Sequence, residues 1–108
     1  MKKLIFLFSL FIAFQAVAQE GIRFRHCSWE EAKAMAKKEK KPIFIDFYTQ
    51  WCGPCLNMAE NIFTLGSVGN FYNDHFVCLK IDAETGEGVE LAKKYEVASF
   101  PTFVFVNP

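Results

Sequence analysis

The sequence predicts a single α/β domain built on a sheet with parallel crossovers, and three observations carry that expectation. Short apolar runs suited to buried strands alternate with segments of helical periodicity. A chain of 108 residues has room for one domain. Hydrophobic residues make up 52% of it, with 13 Phe, which is enough apolar surface for a packed core and too much for a disordered chain.

The first 18 residues stand apart from that domain. Lys2 and Lys3 precede an apolar run over 4–14 broken only by Ser9, and Ala16-Val17-Ala18 follows. A basic start, an apolar stretch of about ten residues and a small-residue exit describe a secretory signal peptide cleaved after Ala18. The run is shorter than the roughly 20 residues that span a bilayer. The domain is therefore expected over 19–108, in the periplasm or outside the cell. Removing 1–18 takes two lysines and no acid, leaving 10 basic against 12 acidic side chains over 90 residues. That balance offers no basic patch for nucleic acid and no charge to hold the mature chain on a membrane.

Ser28-Trp29-Glu30-Glu31 reads as a capping box opening a helix over 29–41, with Trp29, Ala32, Met35 and Ala36 on one face. Lys37, Lys38, Lys40 and Lys41 sit at its C-terminal end, where the dipole favours cations, and Pro42 stops it. Ile43–Tyr48 is an almost continuous apolar run, the mark of a strand buried on both faces, with Asp46 in its middle. Cys55, Met58, Ala59, Ile62 and Phe63 recur at helical spacing, so a second helix begins near Cys52. Gly66 and Gly69 predict a loop containing a short helical turn at Val68, Phe71 and Tyr72. A strand over 76–81, a polar loop over 82–88, a helix carrying Val89, Leu91, Ala92 and Tyr95, and a strand over Thr102–Val106 complete the chain.

The chemistry concentrates in Trp51-Cys52-Gly53-Pro54-Cys55, between a buried strand and an amphipathic helix. Two cysteines three apart at a helix start close a disulfide across one turn with little backbone movement. Cys52 lies where unpaired amides and the dipole stabilise a thiolate, the species that attacks disulfides. Cys55, on the inward face, is placed to resolve a mixed disulfide made by Cys52. Pro54 is tolerated because the first helical turn has no amide partner to lose. A zinc site would want a second ligand pair at similar spacing, and His26, Cys27, His75 and Cys78 do not form one, so no metal is expected; a static bridge is the other alternative.

The segment from Ile45 through Trp51-Cys52-Gly53-Pro54-Cys55 resembles the active-site segment of thioredoxins, and Ser99-Phe100-Pro101-Thr102-Phe103 resembles that family's second signature. The likeness runs from about residue 22 to the end. It implies a thioredoxin-like fold, a central mixed sheet flanked by helices, here lacking the family's final strand and helix, so that the chain is expected to be C-terminally incomplete. It implies Cys52 as nucleophile, Cys55 as resolving thiol and Asp46 as the buried acid that exchanges a proton with Cys55. Pro101 would be cis, leaving the Phe100 backbone to pair with an extended substrate segment, and Trp51, Gly53 and Pro54 would complete the substrate-binding rim. Read from the residues alone, Asp46 is either a strand acid facing solvent or a buried functional one, and Pro101 is either trans or cis.

The sequence departs from the family at two side chains. Cys78 falls where many thioredoxins carry a Lys near the buried acid, and a neutral thiol cannot favour the ionised acid, so Asp46 is expected to hold its proton more strongly than in those relatives. Leu56 replaces a common Lys or Arg after the motif, making the rim more apolar. Cys27 and Cys78 read as an incidental and a buried free thiol, with a second bridge between them as the alternative. The resemblance implies an exported thiol–disulfide oxidoreductase that reduces protein disulfides, with no cofactor beyond the Cys52–Cys55 pair and with electrons from a membrane donor. Oxidant or isomerase work, or a non-catalytic docking module, are the other readings.

Overall fold

The structure is a computed structural model that describes residues 20–108. The leader assigned to 1–18 lies outside the described residues. The elements are α1 (Trp29–Glu39), β1 (Ile43–Tyr48), α2 (Gly53–Asn61), α3 (Gly66–His75), β2 (Val77–Asp82), α4 (Gly88–Lys94) and β3 (Thr102–Val106). Among the described residues they form one mixed sheet in the order β2-β1-β3. β1 runs parallel to β2 and antiparallel to β3, so its position is central.

The capping box forms as the sequence predicts. Ser28 Oγ accepts from the Glu31 amide at 3.1 Å, and Glu31 Oε1 accepts from the Ser28 amide at 3.3 Å. The helix ends two residues earlier than predicted, at Glu39, because Lys40 takes a left-handed conformation with φ of 57°. Pro42 disfavours helical geometry at Lys41, so the turn must come before it.

Strand alternation divides the core in two. On one face Ile43, Ile45, Phe47, Val77 and Leu79 pack with Trp29, Ala32 and Ala36 of α1 and with Leu91 and Ala92 of α4. On the other, Phe44 and Cys78 meet Phe63, with Met58, Val68 and Tyr72 of α2 and α3 against them. β1 is buried on both faces, as its composition predicts. The two remaining thiols fall on opposite sides of this divide: Cys27 packs on the α1 face and Cys78 on the α2–α3 face, and both are free. The second-bridge alternative is therefore excluded.

The short helical turn expected at Val68, Phe71 and Tyr72 is present, but it extends across the predicted loop at Gly66 and Gly69 as the ten-residue helix α3. Its N-cap, Leu65, makes no side-chain cap, so tertiary contacts hold it: Val68 and Tyr72 press on the Phe44 cluster. Gly69 is present because the chain at Glu20 and Gly21 crosses directly over it, and a Cβ there would collide with both backbones. That crossing is fastened by Ile22 N–H to Phe63 O at 2.8 Å and by Asn73, which donates to Gly21 O and accepts from the Arg23 amide.

Candidate active site

The dithiol sits where β1 hands over to α2. Cys52 is the N-cap of α2, its Sγ accepting the Cys55 amide at 3.1 Å, and Pro54 occupies the first turn. Cys52 and Cys55 are joined by a disulfide with Cα atoms 5.3 Å apart. Both are almost wholly buried. An N-cap sulfur at a helix N-terminus faces unpaired amides and the positive end of the dipole, which favours its thiolate once the bond is reduced.

A cleft of about 280 Å³ opens beside the pair, with Trp51, Cys52, Gly53, Cys55, Leu56 and Lys80 in its walls. Trp51 stands 71% exposed at its mouth, edge-on to Phe100 with ring centroids 6.1 Å apart. Leu56 is also exposed, so the rim beyond the motif is apolar, as the sequence predicts. The Phe100-Pro101 peptide is cis, the isomer the resemblance implies. The Trp51–Phe100 contact joins positions 49 apart in the chain, while neither Phe100 nor Pro101 lines the cleft itself.

Asp46 is 1% exposed and shares its face of β1 with Phe44, which settles the solvent-facing alternative. Its Oδ1 is buried without a hydrogen-bond partner, and so is the Thr49 hydroxyl three residues on. Burial pushes the Asp46 carboxyl up to about 6, against a smaller opposing pull from Lys80. Asp46 thus holds its proton more tightly than an ordinary carboxyl, and it does so although a cation stands near it. Cys78 pairs with Phe44 in the β1–β2 register, whereas the residue across from Asp46 is Lys80. The Lys80 ammonium lies over the Tyr48 ring, 4.9 Å from its centroid. A lysine two residues from Cys78, directly after the apolar run Val77-Cys78-Leu79, is the available signal, but only the register identifies its partner.

Cys78 is a different kind of thiol. Burial raises it to about 11, and its sulfur donates to the carbonyls of Tyr72 and Phe76 at 3.6 and 3.8 Å. Cys27 is raised as well, by burial first and by Glu31 next. Neither stands in the cleft. Glu84 is the second residue that sequence reasoning misses: its carboxylate accepts the Trp51 indole N–H. Among the described residues no group of three His, Cys, Asp or Glu side chains could hold a metal, and no helix is long and apolar enough to cross a membrane.

The Asp46 environment sets a pH dependence. Its carboxyl keeps a proton up to about pH 6 in the folded chain, against an ordinary value of 3.8, so the folded state binds that proton more tightly. Stability therefore falls as pH rises through that window and stays low above it. At about 1.4 kcal/mol per pH unit the difference is roughly 3 kcal/mol. Asp46→Asn, which does not ionise, is expected to stabilise the oxidised protein by roughly 2 kcal/mol at pH 8, the remainder being lost to the buried amide's own unmet hydrogen bonds. The gain should vanish below pH 4. Urea unfolding at the two pH values measures it, and an equal gain at both contradicts ionisation as the cause.

Comparison with known proteins relates the chain to one family. A family model described as thioredoxin-like matches residues 24–108. Thioredoxin-1 of Drosophila melanogaster is 42% identical over 75 residues, 69% of this chain and 65% of that protein. The chloroplastic thioredoxin-like protein CITRX of Arabidopsis thaliana is 31% identical over 91 residues, 83% of this chain and 47% of that protein. The chain thus spans less than two thirds of the length of these relatives. Among solved structures, a proposed disulphide-isomerase from Bacteroides thetaiotaomicron superposes with a TM-score of 0.74 at 47% identity, covering 83% of this chain and 74% of its own. A thioredoxin from Thermus thermophilus gives 0.69 at 29% identity, covering 79% of this chain and 64% of its own.

Proposed function

The chain belongs to the thioredoxin-like family and has its α/β fold, a three-stranded mixed sheet flanked by four helices, and on that footing we propose that it reduces protein disulfides through Cys52 and Cys55. The observation that carries this reading is the Cys52–Cys55 disulfide at the N-terminus of α2, with Cys52 as the capping residue. In the reduced protein the Cys52 thiolate attacks a substrate disulfide. A mixed disulfide forms and one substrate thiolate leaves. Cys55 then gives up its proton and attacks Cys52 Sγ, closing the Cys52–Cys55 bond and releasing the second substrate thiolate. Two electrons pass from the protein dithiol to the substrate, and the leaving thiolates take up two protons. Asp46, buried and protonated up to about pH 6, is the acid that exchanges a proton with Cys55. Trp51, Gly53 and Leu56 wall the cleft, Pro54 follows in the first turn of α2, and Phe100 before the cis Pro101 offers its backbone to the substrate segment.

The substrates are protein disulfides and the site needs no cofactor beyond its own disulfide. Export rests on the leader read in residues 1–18, and reduction outside the cytoplasm requires electrons from a membrane donor. The test is insulin reduction with dithiothreitol as the electron source. The protein is expected to accelerate precipitation well above dithiothreitol alone, whereas a docking module would leave the rate unchanged. The likeness to the Bacteroides protein favours a second reading, disulfide isomerisation. Equilibration in a glutathione buffer separates the two: a reductant should poise near the thioredoxin value of about −270 mV, an isomerase nearer −180 mV.

A further inference from the structure

Trp51 is 71% exposed, yet its indole is held at two points. Nε1–H donates to Glu84 Oε1 at 2.5 Å, and the ring meets Phe100 edge-on. An exposed indole otherwise samples several rotamers about its two torsions.

Glu84 is itself anchored. Its amide donates to Asp82 Oδ1 at 2.9 Å, and Asp82 Oδ2 accepts from Gln50 Nε2 at 3.1 Å. The Ala83 amide donates to Tyr48 O at 2.9 Å. Farther along, Glu87 Oε1 accepts the Trp29 amide at the start of α1, at 3.0 Å. The segment 82–87 is therefore a brace between α1 and the loop that presents the dithiol, and three of its carboxylates each hold a different donor.

Resting on the oxidoreductase reading above, we infer that Glu84 is a positioning residue for disulfide exchange. By accepting the indole N–H it holds Trp51 in one orientation beside Cys52, so that Trp51 and Phe100 form a prebuilt wall for the substrate segment. The acceptor is a single oxygen, so an amide oxygen in the same place can take the same hydrogen bond. Ordering the ring before the substrate arrives removes that entropy loss from the binding step. Glu84 is not among the residues lining the dithiol cleft, so its effect falls on substrate affinity and not on the exchange itself.

The experiment uses the full chain, its dithiol reduced, in single-turnover oxidation by a synthetic peptide carrying one intramolecular disulfide. Glu84→Ala is expected to raise the half-saturating peptide concentration roughly three- to tenfold, the scale of one hydrogen bond. The limiting rate should stay within about twofold, because the sulfur chemistry is untouched. Tryptophan emission anisotropy should fall, since Trp29 is buried in the core and Trp51 is the ring set free. Glu84→Gln keeps the Oε1 acceptor and should restore both readouts to near wild type. An unchanged half-saturation or anisotropy in Glu84→Ala overturns the inference, as does a loss confined to the limiting rate. Glu84→Gln behaving like Glu84→Ala overturns it too, because charge and not the hydrogen bond would then be at work. A wild-type protein that the peptide fails to oxidise overturns the oxidoreductase reading together with this one. An active wild type with an indifferent Glu84→Ala overturns the positioning role alone.

Discussion

Cys52→Ser is expected to lower disulfide reduction to the uncatalysed background, a loss of roughly a thousandfold or more, because neither free thiol, Cys27 or Cys78, is placed to replace it. Cys78 is buried, its thiol raised to about 11, and packed on the Phe44 cluster. Cys27 sits on the other face of the sheet with its thiol raised by burial and by Glu31. At neutral pH both are overwhelmingly protonated and unable to attack. Cys55→Ser should behave differently. Cys52 still attacks, but the mixed disulfide has no internal thiol to resolve it and accumulates. Non-reducing electrophoresis followed by peptide mass mapping reads this directly. Mixed disulfides found on Cys27 or Cys78 would refute the assignment of Cys52 as nucleophile.

Phe44→Ala should produce the largest loss of stability among single core truncations on the α2–α3 face. Phe44 is 1% exposed, and its ring lies near those of Phe63, Tyr72, Phe76, Phe103 and Phe105, with centroids 4.8 to 6.4 Å away. Removing it leaves a cavity that five rings from separate parts of the chain cannot jointly fill. Buried Phe-to-Ala changes cost about 3–5 kcal/mol, a large share of a stability of roughly 5–15 kcal/mol. Phe71, 53% exposed on α3, is the control, and its alanine variant should cost under about 1 kcal/mol. Urea denaturation of the oxidised proteins measures both. A Phe44→Ala cost no greater than that of Phe71→Ala would show that the cluster does not hold α3 and the sheet together.

The features legible in the amino-acid order are local ones. The Ser28–Glu31 reciprocal cap, the apolar run of β1 and the dithiol at a strand-to-helix junction each depend on residues within a few positions of one another. Periodicity and capping chemistry act at that range, so the chain alone announces them. Asp46 is legible as an anomaly for the same reason, since an ionisable group inside an apolar strand needs an explanation. Long-range packing decides the rest. α3 exists because the chain at Glu20 and Gly21 lies across Gly69 and because Tyr72 reaches Phe44, neither of which glycine spacing announces. Lys80, not Cys78, stands across from Asp46 through the parallel register of β1 and β2; the two share a face of β2, and only the pairing of the strands selects which of them meets the acid. Glu84 meets Trp51 from 33 positions away because β1 and β2 end side by side and deliver their following loops to one place. Contacts of that kind depend on where two distant backbones are brought together, and local patterning carries no record of it.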